Sequence, residues 1–132
     1  MRPKTLLNVG IALACVGLAA CERPVSYSAD VRPILESSCI SCHANANEGQ
    51  AASGFAVDDY ESLMKGTKFG KVVVPGSSMS STLYLVVAQK TDPQIQMPPH
   101  HYDSLAQGRG VPLPDDKVEL IGTWIDQGAK NN

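Results

Sequence analysis

Large aromatic rings are scarce in this chain. Its 132 residues hold two Phe, one Trp and four Tyr, which excludes a core built mainly from stacked rings. A domain of this size buries only roughly two-thirds of its unfolded surface, so a large apolar inclusion would contribute much to its stability. Basic runs are absent as well. Eleven Lys and Arg stand against thirteen Asp and Glu, a formal net charge of −2, and an acidic chain of that kind is not expected to bind nucleic acid. No apolar run reaches the roughly 20 residues that span a bilayer. Internal repeats and long low-complexity tracts are missing too.

Cysteine is sparse, with four in the chain, and two of the four lie at the start. Arg2 and Lys4 precede an uncharged apolar run over residues 5–20, an order that predicts a secretory signal removed from the mature protein. Leu18-Ala19-Ala20-Cys21 resembles the lipobox of bacterial lipoproteins, which implies that Cys21 is diacylated and becomes the new N-terminus. Several acyl chains anchor firmly where one holds only marginally. The expected location is therefore the periplasmic side of a bacterial cell-envelope membrane. Loss of Arg2 and Lys4 leaves nine basic against thirteen acidic residues, a charge of −4. Cys15 leaves with the signal and Cys21 carries lipid, so Cys39 and Cys42 are the cysteines of the folded body.

The expected organisation is a signal over 1–20, a lipid-anchored tether over 21–28 and one domain over 29–130. Asp30 is a candidate N-cap and Pro33 is tolerated in a first helical turn. Behind them Val31, Ile34, Leu35, Cys39 and Cys42 fall on one helical face, which places the two cysteines at the end of an N-terminal amphipathic helix. Residues 44–54 read as a small polar loop. Asp58 or Asp59 caps a short helix that runs through Met64 and stops at Gly66. Ser80 or Ser81 caps a third helix, from 82 to about 89. Residues 91–114 form a long loop rich in proline and glycine, a length usually tied to function. Asp115 or Asp116 caps the C-terminal helix, with Glu119 completing a capping box. There Val118, Ile121, Trp124 and Ile125 make one apolar stripe, read as core packing, and Gly128 ends it.

Residues 39–43 read Cys-Ile-Ser-Cys-His. A redox dithiol sits at the N-terminus of a helix that follows a strand; here the helix precedes the pair. A structural zinc site needs four ligands, usually from a second paired cluster. The remaining histidines, His100 and His101, are adjacent rather than spaced for that task. A disulfide between Cys39 and Cys42 would close a small ring and constrain little. Covalent haem attachment uses every residue of the motif: two thiols one helical turn apart meet the two vinyl groups, and His43 becomes the proximal iron ligand. The cofactor expected is one haem c. A second axial ligand would come from Met64, Met79, Met97, His100 or His101. Met97 is favoured, because Pro98 and Pro99 stiffen the loop behind it.

The segments DVRPILESSCISCH, SGFAVDDYESLMKG, VVPGSSMSSTLYLVV, MPP and LIGTWIDQGAK resemble small class I-like c-type cytochromes, in particular planctomycete-type cytochrome c domains. The resemblance implies Cys39 and Cys42 as thioether residues, His43 and Met97 as iron ligands, and an all-α fold. In that fold the N- and C-terminal helices pack together around one covalently bound haem, with long loops. It departs from the family pattern in HHYDSLAQGRG, a longer stretch than expected after the two prolines. The function expected is electron transfer by a membrane-anchored monohaem cytochrome, without enzymatic activity or a small-molecule substrate. Its partners would be redox proteins with a basic rim, docking transiently at the haem edge. The alternative is a five-coordinate haem sensor or peroxidase-like enzyme with His100 or His101 on the distal side.

Overall fold

The computed structural model describes residues 23–99 and 110–132. The expected signal, Cys21, His100 and His101 lie outside them. The described residues are helical, with a single isolated bridge between Thr67 and Gly70 and no named strand, in agreement with the all-α expectation. In chain order the α-helices are α1 (Arg32–Ser38), α2 (Ile40–His43), α3 (Glu48–Ser53), α4 (Tyr60–Lys65), α5 (Thr82–Val87) and α6 (Asp115–Asp126). A π-turn, Tyr27–Val31, leads into α1.

The chain enters the fold earlier than Asp30. Ser26 is the cap: its Oγ accepts from the Ala29 amide at 3.2 Å, while the Asp30 carboxylate reaches back to the Ser26 amide at 2.8 Å. This reciprocal arrangement satisfies donors that the first turn leaves open. Arg23 forks onto both Asp30 oxygens at 2.7 and 2.8 Å. With the Ser26 amide, that fork holds the carboxyl well below the usual carboxylate range, at about 2. Residues 25–28, expected as tether, are tied to the other end of the chain. The Val25 amide donates to Gln127 Oε1 at 2.7 Å, the Tyr27 amide to Asn132 Oδ1 at 2.9 Å and the Ser28 amide to the Asn132 carbonyl at 3.0 Å.

These ties bring the π-turn that leads into α1 against α6. Val31, Ile34 and Leu35 are buried, and so are Ile121, Trp124 and Ile125 of the α6 stripe, with Val118 half-buried. Three rings fill the junction. Tyr27 lies 5.2 Å from Tyr60 and 5.7 Å from Trp124 between centroids, and the polar tips of Tyr60 and Trp124 are satisfied. Tyr60 Oη donates to the Ala129 carbonyl at 2.8 Å and Trp124 Nε1 to the Lys130 carbonyl at 2.9 Å. Aromatic groups of this kind add burial and specific geometry at once. α5 crosses α6 at Gly122, where an added Cβ would come within 2.8 Å of the Tyr84 ring.

Three local expectations are corrected. Residues 48–53 form α3 rather than loop, because Glu, Gln and two Ala favour helix and Gly54, at φ 77°, closes it in the left-handed region. The position before α6 is Pro114, with no side-chain cap, and Asp115 and Asp116 sit in the first turn, where carboxylates suit the helix dipole. Ser81 precedes α5 without capping it. Its buried hydroxyl instead donates to the Ser77 carbonyl at 2.8 Å and accepts from the Val74 amide at 2.8 Å. The α4 expectation agrees, since Asp59 accepts from the Ser62 amide at 2.7 Å and Gly66 follows the last helical residue.

If packing at the terminal junction dominates, Trp124→Ala lowers the unfolding free energy by about 3–5 kcal/mol. Tyr60→Phe, which removes one hydrogen bond, lowers it by about 1 kcal/mol. Denaturant unfolding of the two variants checks the ratio, and equal losses would refute it.

Candidate haem-attachment site

The helix that carries the motif breaks at its first cysteine. Cys39 has φ −124° and ψ −36°, outside helical geometry, and a one-turn helix, α2, follows. Within it the Cys42 and His43 amides donate to the Cys39 carbonyl at 3.1 and 2.9 Å. The two thiols and the imidazole are thus gathered on one turn. Asn47 Nδ2 reaches the Ile40 and Ser41 carbonyls at 3.3 and 3.1 Å, closing the end of that turn.

Both cysteines are half-buried and unpaired. Cys39 packs against the apolar core, and burial, with a smaller contribution from Cys42, pushes its thiol up to about 11. A thiol so reluctant to ionise is a poor nucleophile at neutral pH, the opposite of what a redox dithiol needs. Among the described residues, no three His, Cys, Asp or Glu side chains gather where a metal ion could sit.

His43 is held from several directions. Its Nδ1 lies 3.3 Å from the Phe55 carbonyl oxygen. A carbonyl can only accept, so this bond places the proton on Nδ1 and leaves the Nε2 lone pair free for a metal. The Phe55 ring meets the imidazole edge-on, 5.3 Å between centroids. The His43 carbonyl accepts from the Val57 amide at 2.8 Å, tying the same residue to the segment that carries Phe55. Burial lowers the imidazole pKa, with partial opposition from the Phe55 bond, and so favours the neutral ring that a ligand requires.

Gly49 of α3 completes the seat. An added Cβ would stand 2.8 Å from the Cys42 carbonyl oxygen, 2.9 Å from His43 Cε1 and 3.0 Å from His43 Nδ1. Sequence reasoning missed both Gly49 and Phe55, although Phe55 lies in a quoted family segment. One contributes a backbone carbonyl and the other the lack of a side chain, and neither leaves a mark in residue chemistry.

Met97 is half-buried, packs against the same apolar cluster as Cys39, and donates its amide to the Val86 carbonyl at 3.1 Å. Pro98 behind it is buried. Met64 also packs on that cluster. Met79 is 61% exposed, with Lys90 Nζ 3.8 Å from its sulfur, and so belongs to the surface.

Residues 39–101 match the family model described as Planctomycete cytochrome C. That match supports a planctomycete-type cytochrome c domain. No curated protein and no solved structure matches the chain. The match begins at Cys39 and includes His43 and Met97. A c-type cytochrome binds haem c covalently, and the helical fold agrees with that family. The local chemistry fits as well: two free thiols on one turn, next to a neutral imidazole whose Nδ1 is already engaged, suit thioether formation and iron ligation.

Gly49→Ala tests the tight seat beside His43. Helix propensity alone would make Ala about 1 kcal/mol better than Gly. Overpacking against His43 is expected to reverse the sign, with a net loss of about 1–3 kcal/mol. Denaturant unfolding measures it, and a stability gain would contradict the close contact.

Proposed function

We propose that the protein is a lipid-anchored, monohaem electron-transfer cytochrome on the periplasmic face of a bacterial membrane. Cys39 and Cys42 form the thioethers, His43 Nε2 is the proximal ligand and Met97 the distal one. When bound, haem supplies a reversible one-electron couple. The carrying observation is the His43 imidazole, fixed by the Phe55 carbonyl with Nε2 left available beside two unpaired thiols.

The chain's own residues set the conditions for that couple. The Phe55 carbonyl raises the electron density of the imidazole by accepting its Nδ1 proton. Gly49 and the Phe55 ring restrict how far it can turn. With His43 and Met97 as the ligands, the thioether would raise the potential relative to a second histidine. The apolar cluster shared by Cys39, Met97 and Met64 excludes water, which limits reorganisation when charge changes. Cys21 gives the membrane attachment; no helix among the described residues is long and apolar enough to cross a bilayer. Redox partners dock transiently at the haem edge.

Absorption spectra of the purified protein and of Met97→Ala test this reading. The wild type is expected to show low-spin iron with an Fe–S charge-transfer band, and Met97→Ala to lose the band and lower the reduction potential. High-spin resting iron, or rapid carbon monoxide binding by the reduced wild type, would overturn it in favour of a sensor or peroxidase-like centre.

A further inference from the structure

The net acidity of the chain conceals one strongly basic region. Residues 62–91 contain Lys65, Lys68, Lys71 and Lys90 and no Asp or Glu. Three of these lysines bracket one turn. Lys65 closes α4, and the Thr67 amide then donates to the Gly70 carbonyl at 2.8 Å, with the Gly70 amide returning to the Thr67 carbonyl at 3.1 Å. Thr67 Oγ1 accepts from the Phe69 amide at 3.1 Å and donates to the Gly70 carbonyl at 3.1 Å. The Lys68 amide donates to the Ser53 carbonyl at 2.9 Å, which fastens the turn to the end of α3.

At the tip of this fixed turn Phe69 is 85% exposed, with Lys68 Nζ 5.3 Å from its ring centroid. Lys65, Lys68 and Lys71 are all exposed, and none forms an ion pair with a described residue. In a chain with two Phe, placing one in water on a pinned turn sacrifices scarce apolar surface. A ring held outward beside the Lys68 ammonium, with Lys65 and Lys71 exposed on the same turn, suits a surface that is anionic at its face and apolar just beneath.

We propose that the 65–71 turn docks on anionic phospholipid, with Phe69 entering the acyl boundary and Lys65, Lys68 and Lys71 at the phosphates. Aromatic and aliphatic groups insert at this depth beside lysines whose stems lie along the apolar layer and whose charges stay in water. A stable protein partner fits less well, because one short turn presents far less than the roughly 1,200 Å² that a stable, specific interface buries. A fluid bilayer conforms to a single protruding ring. The inference goes beyond electron transfer and does not require lipid at Cys21; where Cys21 is lipidated, the turn decides which face of the domain lies on the membrane.

The test uses the full chain labelled with 4-fluorophenylalanine, reduced to remove paramagnetism from iron and freed of excess reductant before it meets the nitroxide. The two Phe give two fluorine resonances, Phe55 is buried and serves as the internal reference, and Phe69→Leu assigns the other. Bicelles of phosphatidylcholine alone, or of phosphatidylcholine with phosphatidylglycerol, carry a lipid with a nitroxide on its acyl chain. The Phe69 resonance is expected to be attenuated on the anionic bicelles and the Phe55 resonance spared. Each of Lys65→Gln, Lys68→Gln and Lys71→Gln is expected to weaken the association about fivefold, and raised salt to weaken it further.

An unattenuated Phe69, equal attenuation on neutral bicelles, or attenuation that survives the triple Gln variant would overturn the proposal. So would an unattenuated Phe69 combined with slower reduction of the triple variant by an acidic flavoprotein, which would assign the turn to a protein partner. A chain that ignores neutral bicelles yet shows Phe69 attenuation on anionic ones supports the turn while removing the anchor at Cys21, so the two readings fail separately.

Discussion

The bond between His43 Nδ1 and the Phe55 carbonyl is the constraint on which the site depends. It selects the tautomer that leaves Nε2 available, and it does so with a backbone atom, which cannot titrate or rotate away. To place that carbonyl, residues 44–57 must fold back over α2. Asn47 closes the turn, α3 brings Gly49 against the ring, and the Val57 amide returns to the His43 carbonyl. A five-residue motif thus recruits the segment that follows it, and the short helix α3 exists where it does because His43 needs its wall.

The aromatic supply is divided in a way that composition alone does not reveal. Tyr27, Tyr60 and Trp124 form one cluster where the two chain ends meet. Phe55 stands on His43, Tyr84 on Gly122, and Phe69 faces outward. Cys39, Met64 and Met97 pack on the same apolar cluster. The junction rings and the residues beside α2 thus share one core.

The parts legible in the sequence were those with a regular period or an unambiguous chemical pattern. The stripe on α6 is long enough for its 3.6-residue repeat to show, and Cys-Ile-Ser-Cys-His is specific by spacing and type. The α4 cap at Asp59 and the stop at Gly66 were also readable, since both are local. The misread parts depended on distant partners. Asp30 looked like a cap, but Ser26 takes that position because Asn132 and Gln127 hold residues 25–28 against the body. α3 and α2 are too short to be stable alone, so tertiary contacts decide them. Gly49 and Phe55 act through close approach to His43 and a backbone oxygen, which depend on how the chain folds back rather than on residue type.

The central claim is that both thiols of the folded body and the adjacent imidazole are committed to one haem. Intact-mass measurement of the purified mature chain, followed by peptide mapping across residues 39–43, tests it most directly. The account predicts a mass increase of one haem, carried on the peptide with Cys39 and Cys42, and no thiol that reacts after unfolding. An unmodified peptide with two titratable thiols would contradict it.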